Sequence, residues 1–300
     1  MRIASGVVLA VGILAASTAS ILIRYAQVEA PSLVIATYRL AIASLVLAPL
    51  AWQRHRTELR NLRSAAWGLA VASGMFLALH FATWVTSLEY TTVASSVVLD
   101  ATSPLWVALA AWILLSERLT RQVICGLILA LGGTLIIGMN DMMLNSGSAP
   151  LLGNMLALTG GVAIAGYWLI GRRLRREVSL LPYAAIVYGA GAVVLLMMTT
   201  AARLPLLGYQ PIVYVWFLLL GLVPQLIGHS SFNWALARLP ATFVAVATLG
   251  EPIGSTVLAY FLLSETPTLL KMFGAALILA GIVLTLLGQA NVASNRIKAP

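Results

Sequence analysis

Ten runs of about twenty mostly apolar residues, each the length a helix needs to cross a bilayer, follow one another along the chain. They fall at Ala4–Tyr25, Ser32–Trp52, Ala65–Ser87, Thr92–Leu115, Gln122–Met139, Leu151–Gly171, Leu180–Ala202, Ile212–Trp234, Ala241–Leu263 and Leu269–Gly288. No stretch between them is long enough for a separate soluble domain, and only the tail from Gln289 reads as disordered. Only 9% of the residues are charged and the mean hydropathy is +0.97, whereas a soluble domain carries roughly a quarter charged residues. Lipid is therefore the expected solvent. The first run follows Arg2 and includes "AASTAS", as a secretory signal might. It continues through Ile21-Leu22-Ile23 and reads as a retained helix.

The net charge of +9 would suggest nucleic acid as the partner of a soluble protein. Here the basic residues sit at the ends of apolar runs and read as topology signals, with no nucleic acid implied. With the N-terminus inside, the inner connections hold Arg2, the cluster Arg54–Arg63, Arg118, Arg121, the cluster Arg172–Arg176, Arg238, Arg296 and Lys298. The outer side holds only Arg24, Arg203 and Lys271. Such bias sets orientation, so both termini are expected in the cytoplasm, with the bilayer a plasma or bacterial inner membrane. The lone cysteine, Cys125, lies in an apolar run and offers no disulfide framework.

The fourth and fifth runs read "SPLWVALAAWILLSERLTRQVICGLILALGG" and the ninth and tenth "EPIGSTVLAYFLLSETPTLLKMFGAALILAG". Pro104 aligns with Pro252, Ser116-Glu117 with Ser264-Glu265, Gly126 with Gly274 and Gly133 with Gly281, all at one spacing; Trp84 and Trp234 also correspond, two residues off it. The chain thus divides into a first five-helix repeat over residues 1–144, a second over 145–290, and a cytoplasmic tail over 291–300. Because five is odd, the second repeat is inverted. Inverted repeats with interrupted helices are how many secondary transporters build a central site. The expected fold is an all-α integral membrane protein, ten transmembrane helices around a central cavity.

The phrases "YRLAIASLVLAPLA", "LHFATWVTSLEYTTVASS", "SPLWVALAAWILLSERLT" and "GLVPQLIGHSSFNWALARLPATFVAVATLGEPIGSTVLAYFLLSETPT" carry a resemblance to a known family. Over nearly its whole length the chain resembles the ten-span EamA-type members of the drug/metabolite transporter superfamily. The resemblance implies a central cavity and small solutes, often amino acids or other metabolites, frequently moved outward. Asp100 departs from the uncharged residue expected there.

Of the acids, only Asp100 and Glu251 fall deep in runs, where an ionisable group is a functional candidate by default. At ~1.5 Å per residue, Asp100, Arg39 and His80 lie about 10–12 Å from the outer side and Glu251 about 15 Å from the inner one, so all four reach similar depth. Residues three, four or seven apart share a helix face. That spacing groups Gln225, His229 and Asn233; His80, Thr83, Trp84 and Ser87; Ser96, Asp100 and Ser103; and Thr248, Glu251 and Ser255. Four polar stripes cannot all face lipid and should line one wet cavity.

Each residue also has a plainer reading. His80 and His229 could be hydrogen-bonded helix contacts, and Arg39 a structural partner for an acid or for carbonyls. Trp84, Trp106 and Trp168 could be core packing, whereas Trp52, Trp67 and Trp216 read as interfacial anchors. Gly126, Ala130 and Gly133 form a small-residue face suited to tight helix packing. In "GEPIG", Pro252 can begin a half-helix, with Glu251 where its dipole favours a carboxylate. Ser103-Pro104 is the other half's version, with a neutral capping hydroxyl, and a merely kinked helix capped by Glu251 is the alternative.

Function follows from these groups. A zwitterionic solute would set its ammonium near Glu251 or Asp100 and its carboxylate at Ser103, the half-helix after Pro104, or Arg39. His80, Trp84, Trp106, Trp168, Gln225, His229 and Asn233 complete the expected binding walls, with Arg39, Asp100 and Glu251 as coupling or charge-pairing groups. Protons are the candidate coupling ion, and a facilitative carrier is the alternative. The chain has no Gly-rich phosphate loop followed by Lys, and the reading calls for no cofactor and no metal. One midplane arginine is thin provision for nucleotide sugars, and the first run lacks the glutamate that four-span multidrug exporters use. A passive channel, separable by single-channel recording, and a membrane-embedded lipid enzyme using His80 and Asp100 are the competing classes. The second lacks zinc-ligand spacing and a nucleophile elbow.

Overall fold

The computed structural model describes residues 2–115, 120–237 and 248–298. These residues form helices and connections, with no strand among them: α1 (Arg2–Ser17), α2 (Ala19–Ala26), α3 (Ser32–Asn61), α4 (Ser64–Tyr90), α5 (Val93–Asp100), α6 (Ser103–Leu115), α7 (Arg121–Leu144), α8 (Pro150–Leu174), α9 (Leu180–Ala201), α10 (Pro211–Leu220), a π segment (Gly221–His229), α11 (Ser230–Leu236), α12 (Gly250–Leu263) and α13 (Leu269–Lys298). Among the described residues, eight helical stretches are long and apolar enough to cross a membrane. The ninth and tenth runs are represented by the 14 residues of α12 and the apolar part of α13, Leu269–Thr285. Ser116-Glu117, Arg118, Arg238 and the start of the ninth run at Ala241 lie outside the described residues.

One expectation is corrected. The tail from Gln289, read as disordered, continues α13 as helix to Lys298. Between Gly288 and Pro300 the sequence holds neither Gly nor Pro, so nothing local stops the hydrogen-bond ladder.

Threonines open several helices: Thr92, Thr120 and Thr268 accept from the backbone N–H of Ser95, Val123 and Lys271. Asn145 closes α7 in the left-handed region at φ 47°, a conformation Asn tolerates. Interruptions have local causes too. Ser17 and Thr18 donate back to the carbonyls of Ile13 and Ala15, where α1 gives way to α2. Pro224, which cannot supply an i→i−4 bond, sits inside the π segment. The fourth run breaks at Ala101-Thr102, and the hydroxyl there belongs to Thr102, which donates to Leu99 O at 2.7 Å. Pro104 and Pro252 are the second and third residues of α6 and α12, in the first turn, where proline is tolerated. Glu251 therefore lies inside the first turn of α12 rather than ahead of it.

Helices α7 and α13 cross through glycine. A Cβ on Gly126 would stand 2.5 Å from Gly281 O, and one on Gly133 would meet Gly274 O and stand 2.8 Å from the Ile278 side chain. The backbones touch because no side chain intervenes. Gly126→Ala is expected to cost about 1–3 kcal/mol by overpacking and to lower the thermal unfolding midpoint in detergent. At Gly132 a Cβ meets nothing within 4 Å, so Gly132→Ala should leave the midpoint unchanged or raise it.

Polar clusters close the two ends of the bundle. At one, Lys271 Nζ lies 2.7 Å from Asp141 Oδ1 and donates to Thr92 Oγ1, and Asn154 Nδ2 donates to Asp141 Oδ2. Arg24 pairs with Glu265 at the same end. At the other, Ser179 N donates to Glu58 Oε1, and Arg175 donates to the carbonyls of Asn233 and Val178.

Candidate functional site

Mid-bundle, α4, α8, the break between α5 and α6, the π segment, α11 and the first turn of α12 enclose a cavity of about 60 Å³. It is lined by His80, Trp84, Asp100, Ser103, Trp168, His229, Phe232, Thr248, Glu251 and Pro252, together with small and aliphatic residues. His80, Trp84, Asp100, Ser103, Trp168, His229 and Glu251 were expected in one wet space, and the structure brings them together.

The walls are two stacked pairs. His80 and Trp84, one helical turn apart on α4, stand parallel with ring centres 5.7 Å apart. Trp168 of α8 and His229 of the π segment stand parallel at 6.4 Å, with Phe232 edge-on to the indole. His80 Nδ1 lies 3.1 Å from Gly160 O and 3.3 Å from Asp100 Oδ1. A carbonyl only accepts, so the Gly160 contact requires the proton on Nδ1.

Gly160 and Gly161 of α8 give this arrangement its room. A Cβ on Gly160 would lie 2.8 Å from Asp100 Oδ1 and 3.1 Å from Trp84 Cβ; one on Gly161 would lie 2.8 Å from Asp100 O. The helix break thus rests directly on the backbone of α8.

Three expected binding residues stand elsewhere. Trp106 Nε1 donates to Thr102 Oγ1 at 3.1 Å and braces the break. Gln225 Oε1 accepts from Arg39 Nε at 2.9 Å. Asn233 meets the Tyr167 hydroxyl, and its Nδ2 also donates to Tyr188 OH at 3.3 Å. Arg39 is likewise behind the wall, fully buried, its guanidinium 4.1 Å from the centre of the Phe81 ring and 5.9 Å from that of Trp84. Both distances are within cation–π reach.

Among the described residues of the cavity lining, the buried Trp84 Nε1 and His229 Nδ1 have no hydrogen-bond partner, and Asp100 Oδ1 has only the 3.3 Å contact with His80 Nδ1. Leaving such an atom unpaired costs about 1–3 kcal/mol, so each needs a polar partner, and both face the same space. Among the described residues, no group of three or more His, Cys, Asp and Glu stands close enough to hold a metal ion.

A model of the EamA-like transporter family matches residues 4–139 and again residues 151–287. The chain is 24% identical over 255 residues to an uncharacterized transporter of Archaeoglobus fulgidus, covering 84% of this chain and 86% of that one. It is 28% identical over 256 residues to a protein of Streptantibioticus cattleyicolor named "Probable terminal-alkyne amino-acid exporter", covering 82% and 81%. An uncharacterized transporter of Bacillus subtilis is 22% identical over 263 residues, covering 85% and 84%. One crystal structure shares the fold, with a TM-score of 0.67 at 18% identity over 96% of this chain and 98% of that one.

Proposed function

Because the chain belongs to the EamA-like transporter family and is an integral membrane transporter, we propose that it moves small amphoteric metabolites, amino acids foremost, through the central cavity. The carrying observation is that the unpartnered Trp84 Nε1 and His229 Nδ1 line one cavity with the carboxylates of Asp100 and Glu251. An ammonium finds acceptors at Asp100 and Glu251. A carboxylate finds a donor at the Trp84 indole, and another at His229 when Nδ1 carries the proton. The relative named as an amino-acid exporter supports this substrate class and outward transport.

We further propose ten spans in two inverted halves, with both termini in the cytoplasm and the protein in a plasma membrane. The twice-matched family model supports two halves. So do the glycine contacts: Gly126 and Gly133 align with Gly274 and Gly281, yet Gly126 touches Gly281 and Gly133 touches Gly274. That reciprocity is how two equivalent surfaces meet about a two-fold axis. A space of about 60 Å³ takes water, and alternating access is the proposed way in which it opens to solute from each side. Protons are the proposed coupling ion.

Thermal stabilisation of the purified protein across a panel of amino acids, amines and carboxylic acids tests the reading. Compounds carrying both groups should raise the midpoint most, and Trp84→Phe, which removes the indole donor while keeping an aromatic ring, should abolish the gain. Stabilisation by amines or acids alone, or gains indifferent to Trp84→Phe, would sink it.

A further inference from the structure

A second cavity, of about 80 Å³, lies at the end of the bundle that holds Lys271. It is lined along the same two helices as the central one. The α5 segment gives Val97 and Asp100 to the central space and Thr92 and Ala94 to this one; α12 gives Glu251 and Pro252 to the first, Thr256 and Ala259 to the second. From Asp100 to Thr92, and from Glu251 to Ala259, is about 12 Å of helix. The two spaces are successive stations on one seam.

The far station is pinned by a single carboxylate. Glu265 Oε1 accepts from Arg24 at 3.2 Å, and Oε2 accepts from Val93 N at 2.8 Å, one of the free N–H groups that begin α5. Arg24 also donates to Leu88 O at 2.6 Å. Glu265 thereby ties α2 and the start of α5 to the connection between α12 and α13. The Arg24–Glu265 pair is partly exposed, with side-chain exposures of 34% and 17%, and such pairs are weak and readily exchanged. The neighbouring Lys271–Asp141 pair, at 5% and 0%, is a fixed post by contrast.

We infer that the seam between α5 and α12 is the route by which solute passes between the central cavity and the Lys271 end, and that Glu265 is its latch. The inference rests on the central cavity being the transport site. An amphoteric solute suits this latch chemically. Its carboxylate can take over the donors at Val93 N and Arg24, and its ammonium can accept Glu265 as counter-ion, so each broken latch contact has a replacement.

The test uses Ala94→Cys and Val97→Cys in a Cys125→Ala background, labelled with a membrane-impermeant maleimide in right-side-out and inside-out vesicles. Glu265→Gln should raise labelling of Ala94→Cys on the order of fivefold, the population change expected on losing a charged contact, and from one vesicle orientation only. Arg24→Gln should do the same, and Val97→Cys should become reactive from that same face. Labelling of Ala94→Cys indifferent to both variants, or Val97→Cys opening from the opposite face, overturns the latch. Thermal stabilisation separates this failure from that of the transport site. If amphoteric solutes stabilise the protein and Trp84→Phe abolishes the gain while the labelling stays fixed, only the latch falls; if they give no stabilisation, the cavity reading falls as well.

Discussion

In proteoliposomes, Glu251→Gln is expected to carry less than about a tenth of wild-type flux, a loss of roughly 1.4 kcal/mol or more in solute stabilisation. The substitution keeps the shape of the side chain and removes its charge. Glu251 lies in the first turn of α12 and lines the cavity together with Asp100 and Ser103. A hydrogen bond to a charged group contributes about 1.5–3 kcal/mol, and an ammonium offered an amide instead forfeits most of it. Proton coupling adds a second signature. If Glu251 carries the proton, flux driven by an imposed pH gradient is lost, while solute-for-solute exchange survives better. Unchanged flux with unchanged pH dependence would remove Glu251 from the mechanism.

Lys271→Met should be the most damaging single change to stability, by about 3–5 kcal/mol, because it leaves Asp141 buried without its counter-charge. Asp141 is wholly buried, and apart from Lys271 its carboxylate has the Asn154 amide, which donates to Oδ2. Lys271 also donates to Thr92, the residue that opens α5, so its loss loosens that helix start. Combining Lys271→Met with Asp141→Leu should recover much of the stability, since a buried pair replaced by apolar groups is often neutral. Thermal denaturation of the four combinations gives the coupling energy directly. Equal midpoints for the single and double variants would mean the pair is not the stabilising unit.

Most of the architecture was legible because lipid imposes so simple a rule. Apolar length marked the eight stretches that are helices long enough to span, and polar residues at helical spacing marked most of the lining of one cavity. The spacing rule failed where regular helix fails. Gln225, His229 and Asn233 do share a stripe, but only His229 reaches the cavity, because the π segment and its packing against α3 give Gln225 to Arg39. Asn233 falls among Tyr167, Tyr183 and Tyr188, a buried hydroxyl cluster that tyrosines scattered over α8 and α9 do not announce in sequence. The break in the fourth run was placed at the proline, the visible signal, whereas it lies at Ala101-Thr102, seated on Gly160 and Gly161. Adjacent glycines in an apolar helix were the overlooked cue. The pairing of Lys271 with Asp141 was also unread, since each looked like an ordinary connection residue.

The π segment has a mechanical corollary. Nine residues held in wide turns contain spare chain: returning Gly221–His229 to tighter winding would twist whatever follows by up to about 100° per residue of slack released. His229 sits at the downstream boundary, with α11 and Phe232 beyond it. A wall of the chamber could thus be swivelled by re-threading one helix about its own axis, with its neighbours standing still, and deleting one residue near Pro224 would lock that swivel at one extreme.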